Sequence, residues 1–281
     1  MRIHTTSDVD VFKAEAGPWL RRDPVENNVL LYHAYDPSGA LPGDGDPRMV
    51  WVTDDADAVT GAAWLIPPYR MTVSDMPVDA ATALAEELAK EESWLPGVNG
   101  PTDAAAAFAA RWSELTGQQS TREREQWLMV CDKAAPVPGV AGEPRLGTPD
   151  EIGTVAEWFS ATMRDSGMAQ ADILRYTRHM VSDQVEHQRL IVWTDGGEAV
   201  GAAGWARPID GVVRPSGVFV RPDQRQGGYA AALLGEVTAR ALAAGATACT
   251  CIHFVQYAAM QAVVEKVGYR HVRDLTEFRF G

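Results

Sequence analysis

One stretch of this chain occurs twice, and its spacing sets the architecture. Trp51-Val52-Thr53-Asp54-Asp55-Ala56-Asp57-Ala58-Val59-Thr60-Gly61-Ala62-Ala63-Trp64 is echoed by Val192-Trp193-Thr194-Asp195-Gly196-Gly197-Glu198-Ala199-Val200-Gly201-Ala202-Ala203-Gly204-Trp205. Ala58 and Ala199 stand 141 positions apart in a chain of 281 residues. Self-similarity at half-length argues for two related units, and the length suits two average domains. Residues 134–142, Ala-Ala-Pro-Val-Pro-Gly-Val-Ala-Gly, are small, uncharged and rich in Pro and Gly, as linkers are. We therefore expect domains at 1–135 and 143–281, joined by 136–142.

The second half holds the chemistry. Residues 217–220 (Gly-Val-Phe-Val) read as a strand that Pro222 terminates, because proline removes a ladder donor. Ala230, Leu233, Leu234, Val237 and Ala241 then recur at the spacing of a buried helix face. Between them lie Arg225, Gln226, Gly227 and Gly228. Two glycines let the backbone approach a ligand, and successive N–H groups at a helix start, aided by the dipole, ring an anion. Arg225 adds charge.

The run Val220-x-Pro222-x-x-Arg225-x-x-Gly228-x-Ala230 resembles the coenzyme A signature of the GNAT superfamily of acyl-CoA N-acyltransferases. It is neither a P-loop nor a Rossmann glycine motif. The resemblance covers residues 143–281: a first strand at 144–148, helices at 150–164 and 170–183, a hairpin of 189–193 and 198–207, a strand at 247–254 and a helix at 257–267, closed by Gly268-Tyr269. It implies an α/β fold of two GNAT-like domains, each a mixed, mostly antiparallel twisted sheet flanked by helices.

The first half keeps the same order, with a strand at 1–6, helical sequence at 9–35, strands at 49–53, 59–66 and 69–74, and helices at 78–92 and 102–116. Where the phosphate loop belongs it has Asp75-Met76-Pro77-Val78-Asp79, with no glycine and acid in place of base. This half is not expected to bind coenzyme A.

At 46% hydrophobic and 22% charged the chain is an ordinary globular protein, and its net charge of -13 argues against nucleic acid and anionic membranes. That acidity either draws a cationic or amine-bearing substrate or merely keeps the surface solvated. The N-terminal residues lack a secretory signal core and no window reaches the apolar length of a spanning helix, so a cytoplasmic location is expected. Cys249 and Cys251 alternate on a strand without metal or redox spacing and read as core thiols; no metal is expected.

By the resemblance, acetyl-CoA is the donor, a small-molecule primary amine the acceptor, and transfer is by direct attack on the thioester. The cofactor-binding residues would be Val218, Phe219, Val220, Arg225, Gln226, Gly227, Gly228, Tyr229, Ala230 and Ala231. Val218 maps to the position whose backbone N–H polarises the thioester carbonyl where the fourth and fifth strands splay, and Val220 lies where a strand-like pantetheine arm pairs. Val264 stands where the family often has a Tyr that protonates the leaving thiolate, and Tyr257 where it has Asn. Catalytic candidates are thus Val218, His253 as proton acceptor at the splay, and Tyr257 as donor. Release as thiolate or through water stays open, as does a non-catalytic coenzyme A sensor, or the same fold doing O-acylation or thioester decarboxylation. Asp165 and Asp172 fall in the region that covers the acceptor pocket; Trp158 and Trp205 either wall it or pack in the core.

Overall fold

The computed structural model describes residues 1–36, 47–163 and 170–281, the side chains of residues 170 and 171 excepted. The first half runs β1 (Arg2–Thr6), α1 (Val9–Glu15), α2 (Gly17–Leu20), α3 (Asn28–Tyr35), β2 (Arg48–Thr53), β3 (Val59–Leu65), β4 (Met71–Val73), α4 (Val78–Leu88), β5 (Gly97–Pro101), α5 (Thr102–Thr116) and β6 (Ser120–Cys131). The second runs β7 (Glu143–Leu146), α6 (Ile152–Thr162), α7 (Gln170–Glu186), β8 (Leu190–Asp195), β9 (Glu198–Trp205), β10 (Val212–Val213), β11 (Pro215–Val220), α8 (Tyr229–Ala243), β12 (Ala248–Phe254), α9 (Ala258–Val267) and β13 (Arg270–Phe280). The fold is α/β, its sheets mixed and mostly antiparallel with helices packed on their faces.

The repeated hairpins share an irregularity at the same point of their first strands, though their pairing differs by one residue, Trp51 facing Ala62 and Val192 facing Ala202. Register shifts between Val52 and Thr53 where β2 meets β3, and between Trp193 and Thr194 where β8 meets β9. A bulge adds one residue to one strand and re-aims the side chains beyond it, so its recurrence at equivalent places of the repeat is a structural echo.

Helical sequence at 9–35 forms three helices in place of one. Asp8 caps α1 by accepting from the amides of Asp10 and Val11, Pro18 sits in the first turn of α2, and the chain reopens through Asp23-Pro24 before α3. Proline lacks the N–H that a continuous helix needs. The helix at 78 ends at Leu88, and Glu91 and Glu92 just beyond it pair with Arg48.

The halves exchange their last strands. One sheet runs β1-β2-β3-β4-β5-β13-β6-β12-β10, the other β11-β9-β8-β7. β13 of the second half thus lies beside β5 of the first, and β6 beside β12. The cores obey the same exchange: Phe280 packs with Phe108 and Trp112 of α5, while Met129 and Cys131 of β6 join the core under α8 and α9. The segment at 136–142 is therefore a covalent boundary but not a boundary between sheets. It is also pinned, for Val137 and Val140 pack against the α8 core and Ala141 accepts from Trp193 Nε1 at 2.8 Å.

The halves differ at one strand pair. In the first, β4 and β5 are joined in parallel, Met71 opposite Val98 and Thr72 opposite Asn99. In the second, β10 pairs with β12 only at Val212–Ala248 and Val213–Cys249; the chain then crosses at Arg214, and β11 pairs with β9. Pro215, without an N–H, suits the switch to an edge strand. The facing edges of β11 and β12 diverge from there.

Candidate functional site

The loop between β11 and α8 closes one end of this divergence. Among the described residues, no amide from Arg225 to Ala231 donates to a backbone or side-chain acceptor; the first amide to do so is that of Ala232, to Gly228. Gln226 and Gly228 both have positive φ, 69° and 84°, which folds the intervening peptides into a concave turn of amides. Gly228 must be glycine on two counts, since a Cβ there would also lie 3.1 Å from Val140. Arg225, Gln226 and Gly227 are exposed, and Arg225 meets no carboxylate among the described residues. Tyr229 points elsewhere: its hydroxyl donates to Asp195 at 2.6 Å, which raises its pKa, so only its backbone faces the turn. Opposite, Arg221 is held by Asp223. The corresponding segment of the first half differs: Asp75 pairs with Arg273 and Met76 packs against Gly61.

Further up β11 the ladder with β9 slips between Ser216 and Phe219, so Gly217 and Val218 fall out of register. Gly217 has φ of 67°, and a Cβ would meet the Phe159 ring at 2.3 Å. Val218 lies within this bulge, partly buried and packed against the α8 core. Phe219 is buried and stacks on Trp158 at 5.4 Å, and Val220 is buried in the α8 core.

The remaining expected residues lie at varying distances from the divergence. His253 is only 5% exposed, edge-on to Trp127 at 5.6 Å, and its Nδ1 contacts the Phe254 carbonyl at 3.2 Å. It shares the strand face of Cys249 and Cys251, which pack into the core of α8 and α9, whereas Ile252 and Phe254 line the cavity on the other face. Burial pushes both thiols up to about 12. Tyr257 precedes α9, half exposed and edge-on to Phe254 at 5.7 Å. Val264 is buried in the core, and the nearby Tyr269 hydroxyl is tied to Thr238 at 2.9 Å. Trp205 is core; Asp172 pairs with Arg175; Asp165 lies outside the described residues.

Sequence reasoning missed the cavity on the opposite face of the sheet from α8 and α9. It holds about 670 Å3. Its floor crosses β4, β5, β13, β6 and β12, roughly 20 Å at normal strand spacing, and α3 forms much of its roof. Arg214, where the chain switches sheets, lines it and donates to Asn28 Oδ1 of α3 at 2.6 Å. Tyr32 of α3 lies under the Arg214 guanidinium and hydrogen-bonds Tyr176 of α7; burial raises both phenols and lowers Arg214. Arg207 to the Tyr35 carbonyl, Arg273 to Glu26 and Arg21 to Asp210 complete the seam between the α2–α3 segment and the second half. Among the described residues no group of His, Cys, Asp and Glu is placed to hold a metal, and no helix is long and apolar enough to cross a membrane.

A sheet that opens at one strand pair, with a turn of unpartnered amides beside it, is the arrangement that the GNAT resemblance implies, and known proteins share the fold. Residues 153–269 match the model of the Acetyltransferase (GNAT) family, so the second half carries a GNAT acetyltransferase domain. Solved structures extend the likeness of fold to the whole chain. A GNAT-family acetyltransferase from Colwellia psychrerythraea aligns over 100% of both chains, with a TM-score of 0.65 at 12% identity. A GCN5-related N-acetyltransferase from Sphaerobacter thermophilus covers 99% of this chain and 95% of its own, at 0.60 and 16%. A tandem GNAT protein from the clavulanic acid biosynthesis pathway covers 100% and 98%, at 0.55 and 11%. No curated protein is significantly similar in sequence.

Proposed function

We propose that the chain is a cytoplasmic, acyl-CoA-dependent N-acyltransferase that moves an acetyl group from acetyl-CoA to a small-molecule primary amine. In this reading the unit at 143–281 is catalytic and the unit at 1–135 is a copy without a coenzyme A loop, whose α3 roofs the acceptor side. The observation that carries it is the divergence of β11 and β12 between two different surfaces: the amide turn at Arg225–Ala231 on one side and the cavity on the other.

The turn of amides and the Arg225 charge hold the diphosphate, and the edge at Phe219 and Val220 takes the pantetheine amides as a strand would. The acceptor nitrogen adds to the thioester carbon; the C–S bond breaks, and the proton lost by nitrogen balances the one gained by the thiol. The Val218 amide, freed by the bulge, is the donor for the developing oxyanion. Tyr257, exposed beside Phe254, is the proton donor for the departing sulfur, with water as its substitute.

Isothermal titration with acetyl-CoA tests the donor site: saturable binding in the native chain and its loss in an Arg225→Ala, Gly228→Glu double variant are expected. Equal binding in both removes the reading. Val264, buried where a hydroxyl is usual, favours one rival, a coenzyme A binder without turnover. Thiol release across a panel of amines, above the rate without protein, eliminates that rival.

A further inference from the structure

The cavity is electrostatically inverted relative to the chain. The protein carries a net charge of -13, yet four arginines line the cavity (Arg70, Arg124, Arg214 and Arg279) against two glutamates, Glu26 and Glu277. Of the charged groups just outside, Arg273 reaches Glu26 and Glu123 reaches Arg70 and Arg279, which leaves it cationic, five against three; Asp75 and Asp23 lie beyond Arg273. Glu277 is buried, and that burial raises its pKa and so weakens its hold on charge.

The lining also contains donors with nothing to donate to among the described residues. Trp64 is 5% exposed, and its indole N–H has no acceptor. Arg70 reaches Glu277 and Glu123 through its terminal nitrogens, while its buried Nε–H has none. A buried polar group without a partner costs about 1–3 kcal/mol, and such a cost is removed when a small side-chain shift opens the N–H to a ligand that supplies the missing atom. His33, stacked on Trp64 at 5.9 Å, has a buried, unpartnered Nδ1, and burial holds the ring neutral, so it adds no charge. Two N–H donors in a cationic cavity select oxygen acceptors that carry negative charge.

We infer that this cavity binds an acceptor that bears an oxyanion, a carboxylate or a phosphate monoester, as well as the amine. The inference rests on the N-acyltransferase reading for the amine alone; the anion site stands on the cavity itself. Arg70 on the approach to β4 is four strands from β12, so the anionic group sits at the far end from Phe254 and the amine is directed toward the diverging strands. The acidic surface then has no part in choosing the substrate; the cavity overrides it.

The test compares matched amines with acetyl-CoA present: α-amino acids and aminoalkyl phosphates against the corresponding amides, esters and decarboxylated amines. The anionic members are expected to show kcat/KM at least about tenfold higher. Which of the two anions leads identifies the oxyanion. Arg70→Gln should raise KM for the anionic acceptor about tenfold while kcat and the KM for acetyl-CoA stay within about twofold. Trp64→Phe, which removes only the N–H, should do the same more weakly in a protein that melts normally. Equal or better turnover of uncharged amines overturns the inference and leaves the acyltransferase intact. Were no amine acetylated, calorimetric binding of the anionic compounds that Arg70→Gln abolishes would sustain the anion site and sink the transferase, whereas no binding would overturn the site as well.

Discussion

Arg214 donates to the Asn28 side chain at 2.6 Å, a bond between the residue at which the second half changes sheets and a helix of the first half. Asn28 is buried, and burial disfavours the Arg214 charge. Asn28→Ala removes the acceptor from a guanidinium that cannot readily reach water. The expected cost is about 1–3 kcal/mol in urea unfolding. Asn28→Asp retains the acceptor and should restore most of it, an outcome that mere cavity formation does not predict.

Gly217 tests the bulge. Alanine there strains a positive φ and drives its Cβ into Phe159, at an expected cost of about 1–3 kcal/mol. Because the bulge aims the Val218 amide, kcat should fall about tenfold or more while acetyl-CoA still binds. Titration alongside steady-state kinetics separates the two effects.

His33 gives a pH signature. Burial pushes its pKa down to about 4, whereas the unfolded imidazole takes up its proton near 6.5. The unfolded chain thus binds more protons between those values, so stability is complete above pH 6.5 and is lost as pH falls toward 4, by up to about 3 kcal/mol. Arg145, by hydrogen bonding, holds Glu151 down at about 2, and the stability this confers is lost only below about pH 4.5. Buried Glu277, its pKa raised, acts with the opposite sign as pH falls, so the His33 contribution is the difference between the native chain and His33→Gln, whose slope between pH 6.5 and 5 should be flatter.

Phe280 belongs by sequence to the second half and by packing to the first. Phe280→Ala empties a site between Phe108 and Trp112, at an expected cost of about 3–5 kcal/mol. Since β6 and β13 tie both cores into one sheet, fluorescence and circular dichroism should report one coincident transition. Two separated transitions would show that the exchanged strands do not couple the halves.

How much of the molecule is legible in its sequence depends on where side chains point. The hairpins at Trp51 and Trp193 are legible because both faces of their strands are apolar and their sequences repeat, although their turns differ: Asp57 alone has positive φ in the first, Gly196 and Gly197 in the second. The loop at Arg225–Gly228 is legible because its chemistry is local. β6 and β13 are not, since Arg122, Arg124, Gln126, Arg273, Glu277 and Arg279 break any apolar alternation. The strand pairs of these segments satisfy the backbone, and several of the polar side chains line the cavity. Sequence places His253 at the end of β12 on the face of Cys249 and Cys251, but strand alternation does not say that the helices α8 and α9 cover that face. The cavity has no linear signature at all, being assembled from both halves.

The exchange of β6 and β13 has a bearing on synthesis. As the chain leaves the ribosome, β5 must wait with an open edge, and Phe108 and Trp112 without their third ring, until the 11 residues of Arg270–Phe280 emerge. The nascent first half is therefore sticky for as long as translation lasts, and cutting the gene at its midpoint yields two fragments that each carry the strand the other one needs.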